Sequence, residues 1–471
     1  MLHVSSRGEA PKLSFYDALL AGLARDGGLY LPESYPQLTT ETITGFAGQP
    51  YAAVAKTVMG ALTDGEFGTA ELHRMIDEAY ATFRHPAVCP LVQIGDNLFV
   101  QELFHGPTLA FKDVAMQLLG RMMDHVLTQR GQRATIVGAT SGDTGGAAVE
   151  AFKGLKQVDM FILYPHGRVS DVQRRQMTTV DAPNVHALAI EGDFDDCQAL
   201  VKAMFNHHAF RDELGLSGVN SINWGRIAAQ VVYYFTAAAS LGGPARPISF
   251  SVPTGNFGDV LAGWVAKQMG LPVGRFMVAT NQNDILVRTL RSGDYHVTGV
   301  TPTSSPSMDI QVSSNFERLL FEAHDRDGAA VRRMMGNLAQ SKRFDVGRAA
   351  LARIQGEFDA AAVSEEATSR EIAAVWREAG YLLDPHTAIG VEAARHSLKA
   401  DPATPVVVLG TAHPAKFPAA VKSASGVTPA LPAHLSDLME RKERFSRLPN
   451  ALGDVERFIK GHARAVRGAA A

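Results

Sequence analysis

Cysteine is almost absent from this chain, with two residues, Cys89 and Cys197, in 471. Neither belongs to a CxxC pair or to a metal-type Cys/His spacing, which argues against a zinc site and a disulfide framework. No surplus of either charge exists: 45 Lys and Arg face 48 Asp and Glu, for a formal net charge of −3. No basic excess therefore points to nucleic acid, and no acidic tract to a disordered tail. No apolar run reaches membrane-spanning length. The stretch "MLHVSSRGEAPKLSFYDALL" lacks a charged segment followed by an apolar core, so no secretory signal is expected. Together these absences predict a reduced, cytoplasmic protein that contacts neither nucleic acid nor membrane and holds no metal. The one local bias, the basic C-terminal "RFIKGHARAVRGAAA", reads as a solvated amphipathic helix.

What remains is an ordinary globular composition, 46% hydrophobic and 20% charged, long enough for two or more domains. The first stretch, through about residue 88, reads as helical, with Ser14 as an N-cap ahead of "FYDALLAGLARD" and a stop at Gly27-Gly28. Strands and helices then alternate. "RATIVGA", "VDMFILYP", "NVHALAI", "PISFSVP", "RFMVAT" and "TPVVVLG" are apolar runs of the kind buried in parallel sheets, with helical stretches between them. This order predicts parallel sheets covered on both sides. The Ser/Thr/Pro-rich "HVTGVTPTSSPSMDIQVSSN" is too long for a plain linker and reads as a functional loop.

Four local features carry possible chemistry. In "LFHGPTLAFKDVAMQLLG", Lys112 stands between an apolar stretch and the first turn of a buried helix. Lysine is seldom buried without a partner, so either its ammonium reaches water or its nitrogen serves chemistry. "VPTGNFGD" follows an apolar strand and opens a helix. Gly255 and Gly258 allow a tight turn whose N–H groups converge, a phosphate cradle or a plain strand-to-helix turn. The absence of a Walker lysine and of GxGxxG disfavours nucleotides. "GATSGDTGG" is a second such turn, with Ser141 and Thr144 offering hydroxyls. "NSINWGR" sets Asn220, Asn223 and Arg226 before an apolar helix, where Arg226 either forks onto a phosphate or pairs at the surface. Two anion cradles and an amine in apolar surroundings suit pyridoxal phosphate. A lysine near apolar surface and other cations is poised to react. Thr411, just past a strand in "LGTAHP", offers a hydroxyl for the pyridine nitrogen.

The segments "HGPTLAFKD", "ATSGDTG", "NSINWGR", "PTGNFGD" and "GTAHPAKFP", in that order, resemble the threonine synthase family, and "SSRG" with "GLARDGGLYLP" resembles that family's N-terminal extension. The resemblance covers nearly the whole chain and implies a pyridoxal phosphate enzyme of the tryptophan-synthase-β-like group. Lys112 would then be the Schiff-base lysine. Gly255, Asn256, Phe257, Gly258 and Asp259 would hold the cofactor phosphate, and Thr411 would face the pyridine nitrogen. The "TSGDTG" turn, with Ser141, Asp143 and Thr144, would take the substrate carboxylate, and Asn223 with Arg226 the substrate phosphate. Asp143 departs from the asparagine common in the broader group. The implied reaction is a lyase step, conversion of O-phospho-L-homoserine and water to L-threonine and phosphate at the end of threonine biosynthesis.

A serine/threonine dehydratase or β-replacement enzyme of the same group, and a silent relative that binds a phosphorylated metabolite, are the alternatives. His105 and His413 lie inside the family motifs and are candidates to line the site. The implied fold is α/β of fold-type II, with two parallel-sheet domains facing a cleft. The expected division is a mainly helical extension (1–88), a smaller domain (110–244), a larger phosphate-binding domain (89–109 with 245–435) and a helical tail (436–471). Monomer and homodimer both remain open.

Overall fold

Continuous apolar runs become the interior strands of two sheets. The computed structural model describes residues 1–140, 142–218 and 220–467. In chain order the strands are β1 (His3–Ser5), β2 (Tyr30–Pro32), β3 (Leu91–Gly95), β4 (Leu98–Glu102), β5 (Ala134–Ala139), β6 (Val158–Pro165), β7 (Val185–Glu191), β8 (Leu216–Ser217), β9 (Ile248–Pro253), β10 (Val273–Thr280), β11 (Asp294–His296), β12 (Arg343–Asp345), β13 (Phe358–Ala362), β14 (Val406–Gly410) and β15 (Ser446–Pro449). The larger sheet has the order β13-β10-β9-β14-β4-β3 and is parallel except at its β4–β3 edge. The smaller has the order β15-β7-β6-β5-β8 and is parallel throughout. Strands β6, β9 and β14 are buried at every position, as parallel strands covered on both faces must be. The architecture is α/β, as read from the alternation of strand and helix.

Two helices lie at the centre. Lys112–Gln129 buries 13 residues, and Trp224–Ser240 is buried except at Thr236 and Ser240. Helices buried on most of their circumference belong inside a molecule rather than on its surface. The two pack on each other, and Tyr51–Thr63 of the N-terminal region packs on the second. All three share one core that runs from the extension into both sheets.

The N-terminal region holds the expected helices, among them Phe15–Ala21, with Ser14 accepting from the Asp17 N–H at its start. It also holds β1 and β2, paired antiparallel from His3↔Pro32 to Ser5↔Tyr30. Three-residue strands carry no periodicity to read. The stretch 436–471, read as a helical tail, instead begins by adding β15 in parallel to β7, before the helix Leu452–His462. Its "SRLP" is only half-buried on alternate residues, so nothing in the sequence marked a strand.

One buried cation ties these parts together. Arg318 is fully buried, and its Nε and Nη2 donate to the Tyr30 carbonyl at 2.9 and 2.7 Å. Nη2 also donates to the Ile222 carbonyl at 2.6 Å, and Nη1 to Asn315 Oδ1. The guanidinium thus joins β2, the segment before the Trp224 helix, and the loop that leads into the Phe316–Ala323 helix. Arg318→Met keeps the stem and removes these donors, leaving buried carbonyls unpaired. We expect a loss of about 3 kcal/mol, read as a lower thermal midpoint than the parent protein.

Candidate active site

Lys112 begins its helix where two loops are stitched together. The Phe111 N–H donates to the Thr411 carbonyl at 2.8 Å, and Ala110 forms a β-bridge with Ala412. The loop leaving β14 therefore lies against the entry to the Lys112 helix. The lysine is only 8% exposed, with its Nζ 4.8 Å from the Phe111 ring centroid and 3.5 Å from Asp143 Oδ2. The ammonium does not escape to water. Burial is the main force holding its pKa below the ordinary lysine value; Asp143 and Asp259 oppose that shift, and Lys416 and Arg226 add to it.

Asp143 opens the helix Asp143–Phe152 after the β5 turn. That turn is held by Thr140 Oγ1, which accepts from the Gly142 and Gly145 N–H groups at 2.9 Å each. Gly142 has φ +142°, and a Cβ there would fall 2.4 Å from Gln173 Cδ, so only glycine fits. Asp143 Oδ1 lies 3.0 Å from Lys416 Nζ and accepts from Gln173 Nε2 at 2.9 Å. Its Oδ2 faces Lys112 and accepts from Ser307 Oγ at 3.4 Å. Although burial works against ionisation, the two lysines hold this carboxyl well below the usual carboxylate range.

The second turn is joined to the same carboxylate through Ser307. Phe257 is left-handed (φ +62°) and leads into the helix Gly258–Gln268, whose first turn has no side-chain cap. Helices leave those first N–H groups without internal partners, pointing at one spot and carrying partial positive charge. A Cβ on Gly255 would fall 2.5 Å from the Ser307 carbonyl oxygen. Ser307 therefore abuts the glycine turn on one side and reaches Asp143, and through it Lys112, on the other. The Ser307 N–H donates to His386 Nε2 at 3.3 Å, and His386 Nδ1 lies 2.9 Å from Asp384 Oδ1. That pattern fixes the imidazole with its proton on Nδ1. Asp384 also accepts from Thr387 Oγ1, which in turn accepts from the Thr411 N–H at 3.2 Å.

Arg226 lies in the first turn of the Trp224 helix, buried, with Nη1 lacking a hydrogen-bond partner among the described residues. Burial pushes its guanidinium down to about 10, with Asp259 opposing. Asp259 Oδ2 is likewise unpartnered, and burial pushes that carboxyl up to about 6 against Lys112 and Arg226. A buried guanidinium nitrogen without a partner among the described residues, beside an uncapped helix start, marks a place for an anion.

The structure brings together Lys112, Asp143, Arg226, the turn 255–259 and Thr411, and sets Thr144, half-buried, in the first turn beside Asp143. Ser141 lies outside the described residues. Two expectations change. Asn223, taken as a ligand for substrate phosphate, has both ends of its amide engaged: Oδ1 accepts from the Gly225 N–H at 2.9 Å and Nδ2 donates to the Leu19 carbonyl at 2.8 Å. It is the N-cap of its helix. Asp143, grouped with the substrate-carboxylate ligands, carries a negative charge already matched by two lysines, and would repel a second carboxylate. His105 and His413 line a neighbouring cavity of about 590 Å³ with Arg84, Glu102, Tyr381 and His434, in which neither Lys112 nor the 255–259 turn takes part.

Sequence reasoning passed over Lys416, Gln173, His386 and Ser307 as individual residues. Lys416 stood inside "GTAHPAKFP" without a role, and Ser307 lies in the Ser/Thr/Pro-rich segment read as a functional loop. That segment supports the glycine turn directly: Ser313 Oγ donates to the Gly255 carbonyl at 2.7 Å and the Asn315 N–H to the Asn256 carbonyl at 3.1 Å.

Comparison with known proteins gives a consistent result. Family models described as "Threonine synthase N terminus", "Pyridoxal-phosphate dependent enzyme" and "Threonine synthase, C-terminal" match residues 2–80, 90–411 and 387–459. The chain is 54% identical to threonine synthase of Pseudomonas aeruginosa, over 98% of each chain. The crystal structure of pyridoxal-phosphate-bound threonine synthase from Brucella melitensis is similar with a TM-score of 0.97 and 63% identity, covering 98% of this chain and 100% of that one. The structure of the yeast threonine synthase gives 0.93 and 39%, covering 98% of each.

The residues fit pyridoxal phosphate: a buried amine for its aldehyde, and an uncapped helix start with glycine at the close approach for its phosphate. Gly255→Ala drives a methyl into the Ser307 backbone and displaces the turn. Titration with pyridoxal phosphate, followed by visible absorbance, is expected to show affinity weakened roughly tenfold or more, the equivalent of about 1.4 kcal/mol.

Proposed function

The chain belongs to the threonine synthase family of pyridoxal-phosphate-dependent enzymes, and on that premise we propose that it converts O-phospho-L-homoserine and water to L-threonine and phosphate, with its own residues in the following roles. The observation that carries the reading is the Lys112 amine, buried and flanked by charge, facing the turn 255–259 across Ser307. Bound there, the cofactor would delocalise the negative charge left when the substrate's α-proton departs.

Lys112 would be the cofactor's attachment point, and its Nζ, when free, would serve as the base that takes the substrate's α-proton. Burial and the neighbouring cations favour its neutral form, which a base needs. The N–H groups of the 255–259 turn would hold the cofactor's phosphate at the helix start. Thr411, buried and fixed through its backbone to Phe111 and Thr387, would offer its hydroxyl to the pyridine nitrogen. The helix start at Thr144 binds the substrate carboxylate through its hydroxyl and backbone N–H.

Arg226 is the group for the substrate's phosphate. Its free Nη1 supplies a charge-assisted hydrogen bond to the dianion, and it stabilises the charge that develops as phosphate leaves the γ-carbon. Asn223 serves Arg226 indirectly, since it caps the helix that carries it. We place the reaction in the cytosol, where the free, buried thiols of Cys89 and Cys197 are at home.

Incubation of the loaded protein with O-phospho-L-homoserine should release L-threonine and inorganic phosphate in equal amounts. Release of ammonia and a keto acid from threonine instead would assign a dehydratase, and no turnover at all a silent binder. Lys112→Ala should abolish both the cofactor's visible band and turnover. Arg226→Gln should raise KM for phosphohomoserine at least tenfold, corresponding to about 1.4 kcal/mol, while cofactor affinity changes less. The reverse pattern would move Arg226 to the cofactor's phosphate.

A further inference from the structure

Lys112 is not the only buried lysine at this site. Lys416, in the short turn Pro414–Lys416 after β14, is completely buried. Its Nζ has three acceptors around it: Asp143 Oδ1 at 3.0 Å, the Thr108 carbonyl at 2.7 Å and Gln176 Oε1 at 2.9 Å. Those match the three donors of an ammonium group, so this nitrogen is held as a structural cation. Lys112, by contrast, has among the described residues a single carboxylate oxygen at 3.5 Å as its hydrogen-bonding partner. One carboxylate thus stands between two lysines, with one oxygen turned to each. Gln173 fixes the Lys416 side of that carboxylate and Ser307 the Lys112 side.

We propose that Lys416 is a positioning residue that takes up the charge of Asp143, so that Lys112 is not held as that carboxylate's counter-ion and keeps a reactive, neutral amine. The inference rests on Lys112 being the cofactor's attachment point. The physical reason is competition. A buried carboxylate needs a cation. If Lys112 were the only one in reach, the pair would retain its proton and the amine would be lost to chemistry. With Lys416 permanently in place, the proton on Lys112 is a surplus charge, repelled by Lys416 and Arg226. The charged groups facing Lys112 are Asp143 and Lys416 from the helix after β5 and the turn after β14, Arg226 from the Trp224 helix, and Asp259 from the Gly258 helix. His386 faces Asp143 from the helix after Asp384. Burial and these neighbours together lower the proton affinity of Lys112.

The consequence is measurable as pH dependence. Joining an aldehyde to an amine consumes the neutral amine and expels one water, so cofactor attachment follows the unprotonated fraction of Lys112. The experiment adds pyridoxal phosphate to apoprotein across a pH series and reads the visible band, in the parent, Lys112→Ala, Lys416→Met, Asp143→Asn and the Lys416→Met/Asp143→Asn double variant. Lys416→Met is expected to raise the midpoint of attachment by roughly one pH unit, the lower end of what a close charge does. Asp143→Asn should lower it, and the double variant should fall between the two singles. An unchanged midpoint in Lys416→Met overturns the proposal while leaving the attachment role of Lys112 intact. Normal attachment in Lys112→Ala overturns that role instead. If Lys416→Met does not fold, Lys416→Gln, which keeps a hydrogen-bonding end near Thr108 and Gln176 without the charge, takes its place, and an unchanged midpoint there overturns the proposal equally.

Discussion

The cleft is organised around buried positive charge that the protein does not fully neutralise. Lys112, Lys416 and Arg226 are all nearly or wholly removed from water, against the carboxyls of Asp143 and Asp259. Asp143 is held ionised by the lysines, whereas burial pushes Asp259 up to about 6. Taking isolated charge out of water is expensive unless it is paired and hydrogen-bonded. Lys416 meets that condition within the protein. Arg226, with a free Nη1, does not, and neither do the uncapped N–H groups before Val260. A phosphorylated cofactor and a phosphorylated substrate bring the missing negative charge. The same imbalance that makes the site costly alone favours dianions over neutral analogues.

Holding that arrangement requires rigidity from elements far from the reacting atoms. Arg318 joins β2 to the segment before the Trp224 helix and to Asn315, whose side chain donates to the Asn256 carbonyl at 3.0 Å. The N-terminal region is therefore part of the site's support. Through Arg318 it fixes both the helix that carries Arg226 and the turn that cradles a phosphate. The loop 297–315 does the same from the other side, with Ser307 pressed on Gly255 and bonded to Asp143. A loop of that length, with only a short turn of helix at Pro306–Met308, is tolerated because its polar atoms find partners within the protein. Asn281 and Asn283 both donate to Asp309, at 2.8 and 3.0 Å.

Much of this was legible because it is local. An apolar run followed by a glycine turn and a helical pattern identifies the strand end, the anion cradle and the helix start in one reading, which is why Gly255–Asp259 and the turn at Asp143 were found. Lys112 was legible because a cation in an apolar context is a local anomaly. What failed was whatever depends on a distant partner. The amide of Asn223 looks like a ligand until Leu19 and the Gly225 N–H are seen to occupy it. Lys416 looks like a surface lysine until the fold sets Asp143, Thr108 and Gln176 around it. The pairing of β15 with β7 and of β1 with β2 belongs to the same class, since short strands acquire their identity from a neighbour and not from periodicity.

Backbone strain at two positions follows from the same demand. Phe257 (φ +62°) and Leu109 (φ +63°) are non-glycine residues in the left-handed region, a conformation that costs roughly 1–2 kcal/mol each. Each stands just ahead of a functional helix start, Phe257 directly before Gly258 and Leu109 three residues before Lys112. Such strain persists only where the surroundings over-determine it. Phe257 is locked by edge-on packing on Phe316, with ring centroids 5.4 Å apart. Leu109 is locked by its carbonyl, which accepts from the His413 N–H at 3.0 Å, and by a fully enclosed side chain. Glycine would adopt either conformation without strain, but it would bring no side chain to anchor the turn in the core. The bulky residues accept a local penalty and gain a fixed direction for the N–H groups and the amine that follow, and for a site that works by placing charge, direction is the property that matters.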